Sequence, residues 1–581
     1  MEFIKNKLEK IMSTLKKEKL IFIWLLIFIL SLGLIYVYYL KTENLIRTFD
    51  SSGYWINAIN QKANLGNISE TIKRLLITIN KDDYNLLPVT FLQPIFYFSS
   101  NSFFAYVMSI YIVYVIPLFT ILTFIFLKLF KNIKYKTLCY VIFMFPIILS
   151  PQLHIPIMLG YLDVGCLLLI VVIMYHILDY DFSKFSLKNN LVISFALFIL
   201  TIMRRYFIFW TIGFFLAIAI VYFFYDFSRR EYRLFFIRLK NIIILGLSFS
   251  IPLIICFSEM FIRSTSTNYK DLYNGFKQGS IFHYIKETIN YTGYILVIFL
   301  VLGIIITVRN KNYKKNSVII LLNGAISFLL FNVIQGMNVH QFYIVLFSIL
   351  YFITSFFVVD SDAIMKNTRL NERTKKITLG IFILFIITFC TVNFLIVFKQ
   401  SNNKLLTNGK IIVYSDLRDK IEKTMNFIPQ ILDQNNKKIY VLASGYTFNS
   451  EIFANSILPD LSLKDRFTSV AHLDIRDGFD PSFYEAQYVL TVSPLEYSLT
   501  PETQKVIGIL YNAIEATSPL NDNFNLIYEE QLSDSEYKIK IYEKVGDFTT
   551  KDKEFLKDQF NKYYSEYKEL FEYRIINSTK E

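Results

Sequence analysis

Three features of the sequence place side chains that could act together on a phosphate-linked substrate. The first is Asp50, in Arg47-Thr48-Phe49-Asp50-Ser51-Ser52-Gly53-Tyr54-Trp55. A carboxylate beside interface-favouring aromatics such as Tyr54 can take a proton from a hydroxyl held near a reacting carbon. A solvated loop aspartate or a helix N-cap fits the same residues. The second is Asp163, in Gly160-Tyr161-Leu162-Asp163-Val164, just inside an apolar stretch where an ionised group is costly and a functional candidate by default. A carboxylate snorkelling to water is the plainer alternative. The third is the pair Arg204-Arg205 between two short apolar stretches. Two adjacent guanidinium groups match phosphate oxygens with forked donors. A turn inside one long kinked helix over 191–225, or an anchor to lipid headgroups, also accounts for the pair. Weaker candidates are His340, Gln341 and Tyr343, then His154, and finally Glu259, Arg263 and Lys270. The sequence has no Gly-rich phosphate loop, no HExxH and no CxxC, so any phosphate binding must rely on arginines.

These residues need a scaffold, and the composition says which kind. Of 581 residues 54% are hydrophobic and only 18% charged, with a mean hydropathy of +0.41. Many windows exceed the roughly 18 apolar residues needed to cross a bilayer. The spans are 21–39, 104–130, 137–150, 155–178, 191–203, 206–225, 241–261, 291–308, 317–335, 341–358 and 377–398. Span 21–39 follows twenty residues and lacks a small-residue cleavage site, so it reads as a retained anchor. The predicted fold is a polytopic α-helical membrane protein with about eleven transmembrane helices.

With the N-terminus (1–20) inside, the cytoplasmic segments 1–20, 131–136, 179–190, 226–240, 309–316 and 359–376 carry 6, 3, 2, 5, 4 and 5 Lys+Arg. The short external connections 151–154 and 336–340 carry none, as the positive-inside rule requires. That orientation puts the three candidate features and residues 399–581 on the outer face of the cell membrane. Two external loops are long, 40–103 and 262–290, and the first holds amphipathic stretches such as 68–77 suited to the interface. Residues 399–581 carry 22 basic and 28 acidic side chains, so the net charge of +13 belongs to the membrane part. It is spread through short loops, which argues against nucleic acid as a partner. Cys139, Cys166, Cys256 and Cys390 all lie in apolar segments without metal-like spacing and read as packing residues.

Together the features resemble the GT-C superfamily of membrane glycosyltransferases, which includes protein mannosyltransferases and aminoarabinose transferases. The family pattern is an acidic residue early in a long first external loop with interfacial helices, and a second near the outer start of a later helix. Here Ser150-Pro151-Gln152-Leu153-His154 leads on to Asp163, and Met203-Arg204-Arg205-Tyr206 to Trp210 looks like an "RRWY" stretch of a bacterial branch. His340-Gln341-Phe342-Tyr343 resembles a helix start common there, with its order changed. The resemblance covers most of 20–400. It implies transfer of a hexosyl or pentosyl group, with inversion, from a polyprenyl-phosphate donor to a glycan, lipid or protein acceptor. It implies Asp50 as base, Arg204 and Arg205 on the lipid phosphate, Tyr54, His340, Gln341 and Tyr343 as further substrate contacts, and Asp163 as acceptor guide or ligand to Mg²⁺ or Mn²⁺. The metal stays open. A transporter or flippase of the envelope polysaccharide pathway is the competing class, expected to carry internal repeats and ionisable groups near the bilayer midplane. A scaffold or receptor is a third.

The tail alternates strands with helices. Strands are expected at 438–445, 486–492 and 537–543, and helices from Asn449 and over 502–516. In the second helix Thr500 is the expected N-cap and Pro501 the first residue. That pattern predicts a C-terminal α/β domain outside the cell. The polar run His472-Leu473-Asp474-Ile475-Arg476-Asp477-Gly478 resembles a sequence of the same branch, and a turn closed by Asp477-Gly478 also explains it.

Overall fold

Long apolar runs satisfy their backbone polar groups in lipid only as helices, and helices are what these runs form. The structure, a computed structural model, describes residues 16–82, 84–133, 135–268, 275, 279–366, 371–399, 405–432, 437–516 and 518–577. The first helices are α1 (Lys19–Thr42), α2 (Phe49–Asn64), α3 (Ile68–Lys81), α4 (Phe103–Leu129), α5 (Lys136–Ile148), α6 (Pro151–Met158), α7 (Val164–Ile177) and α8 (Leu187–Met203). After them come α9 (Ile208–Ser228), α10 (Tyr232–Cys256), α11 (Ser258–Ser266), α12 (Ile281–Thr292), α13 (Tyr294–Arg309), α14 (Lys314–Ile334), α15 (Tyr343–Lys366) and α16 (Glu372–Leu395). Among the described residues seven helices are long and apolar enough to cross a bilayer, and two bent pairs, α5–α6 at 47° and α12–α13 at 101°, pass the same test jointly. The shorter apolar helices are α7 and α8. The expected spans overlap these helices, with 155–178 falling on both α6 and α7 and 241–261 on both α10 and α11, so that seven to nine spans stand where about eleven are expected, and the chain is a multi-pass membrane protein.

The boundaries differ where the chain turns. The expected span 155–178 is broken: α6 contains Pro156, Gly160 turns the chain at φ +88°, and helix resumes only at Val164. A Cβ at Gly160 would stand 2.9 Å from the Phe103 ring, so both the conformation and the contact require glycine. Asp163 is therefore not inside the span but at the N-cap position of α7. Likewise α8 stops at Met203, Arg204 is extended (φ −146°, ψ 106°), and a 3-10 turn over Arg205–Phe207 leads into α9. The single kinked helix over 191–225 is not what forms. The amphipathic stretch at 68–77 is α3, with the Asn67 side chain capping it by accepting from the Glu70 amide.

The first compact unit consists of Met1–Glu43, Tyr54–Thr267 and Gly279–Val413; the second of Asn44–Gly53, Asn268–Gln278 and Tyr414–Glu581. Within the first, small residues let helices approach: a Cβ at Gly303 would lie 2.0 Å from the Phe352 carbonyl oxygen, so α13 meets the α15 backbone directly.

In the second unit five strands form one sheet, β1 (Ile439–Leu442), β2 (Phe467–Ser469), β3 (Tyr488–Ser493), β4 (Phe524–Gln531) and β5 (Lys538–Lys544), in the order β2-β1-β3-β5-β4. The first three are parallel and the last two pair antiparallel. Side chains alternate across the sheet, so Tyr440, Leu442 and Val489 join one core with Val506, Leu510, Leu556 and Phe560. Ile439, Val441, Leu490 and Val492 join another with Ile428, Leu432 and Ile452. Helices therefore cover both faces, which explains the continuous apolar runs of β1 and β3. Strands β2 and β4 escaped the sequence reading. The first is three residues long, and the second is a polar edge strand, Phe-Asn-Leu-Ile-Tyr-Glu-Glu-Gln.

Helix Lys505–Glu515 (α17) starts later than expected, and Thr500 makes no side-chain cap. Its first amides are taken by a distant residue: Asp474 Oδ2 accepts from the amides of Lys505 (2.6 Å) and Val506 (3.4 Å), and from the Tyr564 hydroxyl. Asp474 is 1% exposed, and burial pushes its carboxyl up to about 6 although these donors oppose the rise. A carboxyl with a raised folded-state pKa binds its proton more tightly when folded. Its contribution is fully present below the unfolded value, near 4, and is lost as pH rises through about 6. Thermal unfolding of the full chain should therefore lose on the order of 2–3 kcal/mol from this group between pH 4 and 7. Asp474→Asn should remove that part of the pH dependence.

Candidate active site

Asp163 and Arg204 meet within the first unit. Asp163 is 0% and Arg204 5% exposed, so two opposite charges are removed from water and must be paired. The pairing is two-pronged: Arg204 Nε donates to Asp163 Oδ1 at 2.9 Å, and Nη2 to Oδ2 at 3.4 Å. Two tyrosines complete it. Arg204 Nη1 donates to the Tyr54 hydroxyl, and the Tyr206 hydroxyl donates to Asp163 Oδ1. The guanidinium also lies 5.1, 5.7 and 5.4 Å from the rings of Tyr54, Tyr84 and Tyr206, an aromatic cage suited to a cation.

The two charged members are delivered by chain breaks. Gly160 and the turn after it present Asp163, and the Tyr106 hydroxyl holds that turn by donating to the Gly160 carbonyl at 2.9 Å. The extended backbone of Arg204 separates α8 from α9, and Asn85 donates from Nδ2 to the Ile202 carbonyl at 2.7 Å just before the break. Tyr54 comes from the second turn of α2, four residues after Asp50.

Of the residues singled out in the sequence, the structure brings together Asp163, Arg204 and Tyr54. Arg205 is half-exposed at the start of the 3-10 turn, in different surroundings from its buried neighbour. His340 stacks on Tyr161, two residues before Asp163, with ring centroids 4.7 Å apart and planes at 7°. The Gln341 side chain accepts from the Asn338 amide at 2.9 Å. Tyr343 is buried and its hydroxyl donates to the Leu153 carbonyl, tying α15 to α6. His154 meets the Tyr36 hydroxyl through Nδ1 at 2.8 Å inside the bundle. Glu259 is exposed in the first turn of α11, and Arg263 donates to the carbonyls of Lys81 and Asp82. Lys270 lies outside the described residues. Asp50 occupies the first turn of α2 and is grouped with the second unit.

Tyr206 and Tyr84 were not foreseen as site residues. Tyr206 could have been, because it directly follows the arginine pair. Nothing in the sequence marks Tyr84. A second buried pair was missed for a simpler reason. Asp226, 0% exposed near the C-terminal end of α9, meets Arg238 of α10, which also donates to Asp181 at 3.1 Å. The expected span ended one residue short of it.

Among the described residues no group of three or more His, Cys, Asp or Glu could hold a metal ion. At Asp163 both carboxylate oxygens already face a guanidinium, whose positive charge opposes a divalent cation beside it. The donor set does not fit Mg²⁺ or Mn²⁺.

No family model matches the chain, and no curated protein sequence matches it. Its fold does match solved structures. The crystal structure of ArnT from Cupriavidus metallidurans bound to undecaprenyl phosphate aligns with a TM-score of 0.50 and 10% identity over 89% of this chain and 98% of that one. The apo state of the same protein aligns equally well, over 97% of its length. The chain shares the fold of those structures: it is polytopic and α-helical, with a small sheet in its C-terminal region, as the apolar spans and the strand–helix alternation of the tail predict.

The buried pair predicts a thermodynamic cycle. Arg204→Ala and Asp163→Ala should each cost ~3–5 kcal/mol, because each leaves one charge buried and unpaired. The double variant should cost less than the sum by on the order of 1–3 kcal/mol. Unfolding of the purified full chain in detergent, followed by tryptophan fluorescence, measures all three.

Proposed function

We propose that the protein is an integral membrane glycosyltransferase that moves a sugar from a polyprenyl-phosphate donor to an acceptor hydroxyl on the outer face of the cell membrane. The observation that carries this reading is the tyrosine-caged Asp163–Arg204 pair, set at one end of a fold shared with a protein crystallised with undecaprenyl phosphate. The positive-inside pattern supports the same orientation, with N-terminus inside and C-terminal domain outside.

In the proposed reaction the acceptor oxygen attacks the anomeric carbon and the bond from that carbon to the phosphate oxygen breaks. The acceptor proton passes to Asp50, and polyprenyl phosphate leaves with the electron pair. Attack from the face opposite the phosphate inverts the anomeric centre. Charge grows on the leaving phosphate, which is where a fixed guanidinium helps most. Arg204 supplies that charge already oriented by Asp163, Tyr54 and the tyrosine rings, so little reorganisation is needed. Arg205 provides a second forked donor at the same chain break. His340 stacks on Tyr161 in the turn before Asp163, and it and Gln341 are proposed contacts for the acceptor, a glycan, lipid or protein.

The transporter or flippase reading expects ionisable side chains halfway across the bundle. The buried charges described here lie at helix ends instead: Asp163 before α7, Arg204 before α9, and Asp226 and Arg238 near the far end of α9.

The test is complementation of a deletion strain. Asp50→Asn should insert normally and lower the affected envelope glycan, followed by mass spectrometry, by ~10²–10⁴-fold. Full complementation by that variant sinks the base assignment. A deletion that leaves every glycan unchanged but stops uptake of a solute replaces the reading with transport.

A further inference from the structure

The second unit contains an arrangement that the reaction scheme does not use. In open α/β sheets ligands bind beyond the carboxyl ends of the parallel strands. Here those ends lead into Ala443–Phe448 after β1, Val470–Leu473 after β2 and Pro494–Ser498 after β3. What lies against that edge is the chain's own segment 44–53, which belongs to the same unit. The Phe49 ring packs edge-on to Tyr446, with centroids 6.4 Å apart, and lies 5.5 Å from His472. Asn455 donates to the Arg47 carbonyl at 2.9 Å, while Asn44 and Ser415 exchange two hydrogen bonds of 3.1 and 2.9 Å.

One side chain gathers the segment's turn. Glu451, on the helix Ser450–Asn455, accepts through Oε2 from both the Phe49 amide and the Ser52 hydroxyl, the latter at 2.8 Å. Phe49 has φ +55°, a left-handed conformation that a bulky residue adopts only when its surroundings impose it. The Ser52 hydroxyl also reaches the Phe49 carbonyl at 2.9 Å, so both polar groups of this residue are engaged. Asp50 is the next residue. Burial raises the Glu451 carboxyl above the ordinary carboxylate range, Ser52, Phe49 and Lys464 pull it down, and the neighbouring Asp50 charge adds to the rise.

We propose that Glu451 is a positioning residue for the transfer reaction: it clamps Phe49 in its left-handed turn and thereby aims Asp50. The inference rests on the reading of Asp50 as base. It assigns the C-terminal domain a task, since the crevice where such a sheet would bind a ligand holds the base-bearing loop instead. The chemistry asks for one oxygen able to accept from two donors at glutamate length. Glutamine supplies that oxygen, aspartate is a methylene too short, and alanine supplies nothing.

The experiment uses the full-length protein in nanodiscs and in the complemented deletion strain. Hydrogen exchange reports residues 44–53, envelope glycan per inserted molecule reports transfer, and binding of undecaprenyl phosphate reports the donor site. Glu451→Ala is expected to speed exchange in 44–53 by at least about tenfold and to lower glycan by about 10²-fold, with undecaprenyl phosphate binding retained. Glu451→Gln is expected to restore both slow exchange and glycan. Unchanged exchange in Glu451→Ala overturns the clamp, whatever Asp50 does. Faster exchange with wild-type glycan overturns the positioning role, as does loss of undecaprenyl phosphate binding together with glycan, which marks general damage. Wild-type glycan in Asp50→Asn overturns the base reading instead, and leaves the exchange result to decide the clamp alone.

Discussion

A carboxylate and a guanidinium, both out of water, have to be held together, and much of the membrane unit follows from that requirement. Desolvating two ions costs several kcal/mol each, which only a well-formed pair with further hydrogen bonds can offset. Asp163 and Arg204 meet through two prongs, and tyrosine hydroxyls satisfy them further. The two charged groups both sit at helix breaks and not within helices. The turn at Gly160, the extended residue between α8 and α9, and the second turn of α2 each bring one side chain to the same point. The helix breaks are thus the means by which the site exists.

The Asp226–Arg238 pair sharpens the picture of α9. That helix has Arg204 and Arg205 just ahead of its first turn and Asp226 in its last, with no Asp, Glu, Lys, Arg or His between them. Twenty-one residues rise about 30 Å, the thickness of a hydrocarbon core. Sliding such a helix along the bilayer normal would drag one charged end into the hydrocarbon, so the two pairs fix its depth. Arg204 is held lengthwise by this constraint and sideways by Asp163.

How much of this was legible in the sequence depended on the range of the interaction. Spans were legible because hydrophobicity over twenty residues outweighs everything local, and β1 and β3 because their buried runs are continuous. The split before Asp163 was less so: Pro156 and Gly160 signal a break, but the apolar residues around them hide it. Asp226 lies one residue beyond the expected span, and β4 resembles a loop because it is an edge strand that ends in Glu529-Glu530-Gln531. The α17 start was misplaced because its cap is Asp474, about thirty residues earlier in the chain, and a propensity argument looks only at neighbours. Arg204, Asp163 and Tyr54 could be proposed individually, while their convergence, and the cage of Tyr84 and Tyr206, are tertiary facts that no spacing encodes.

The geometry also poses a chemical question about Arg204. A guanidinium neutralised by a buried carboxylate offers less net charge to a phosphate than a free one, since the Asp163 charge stands within hydrogen-bonding distance and opposes the incoming anion. Against that stands preorganisation: an unpaired arginine would be solvated or mobile, and its alignment would have to be recovered at each turnover. A fixed fork held by one carboxylate favours the second regime, in which orientation matters more than total charge.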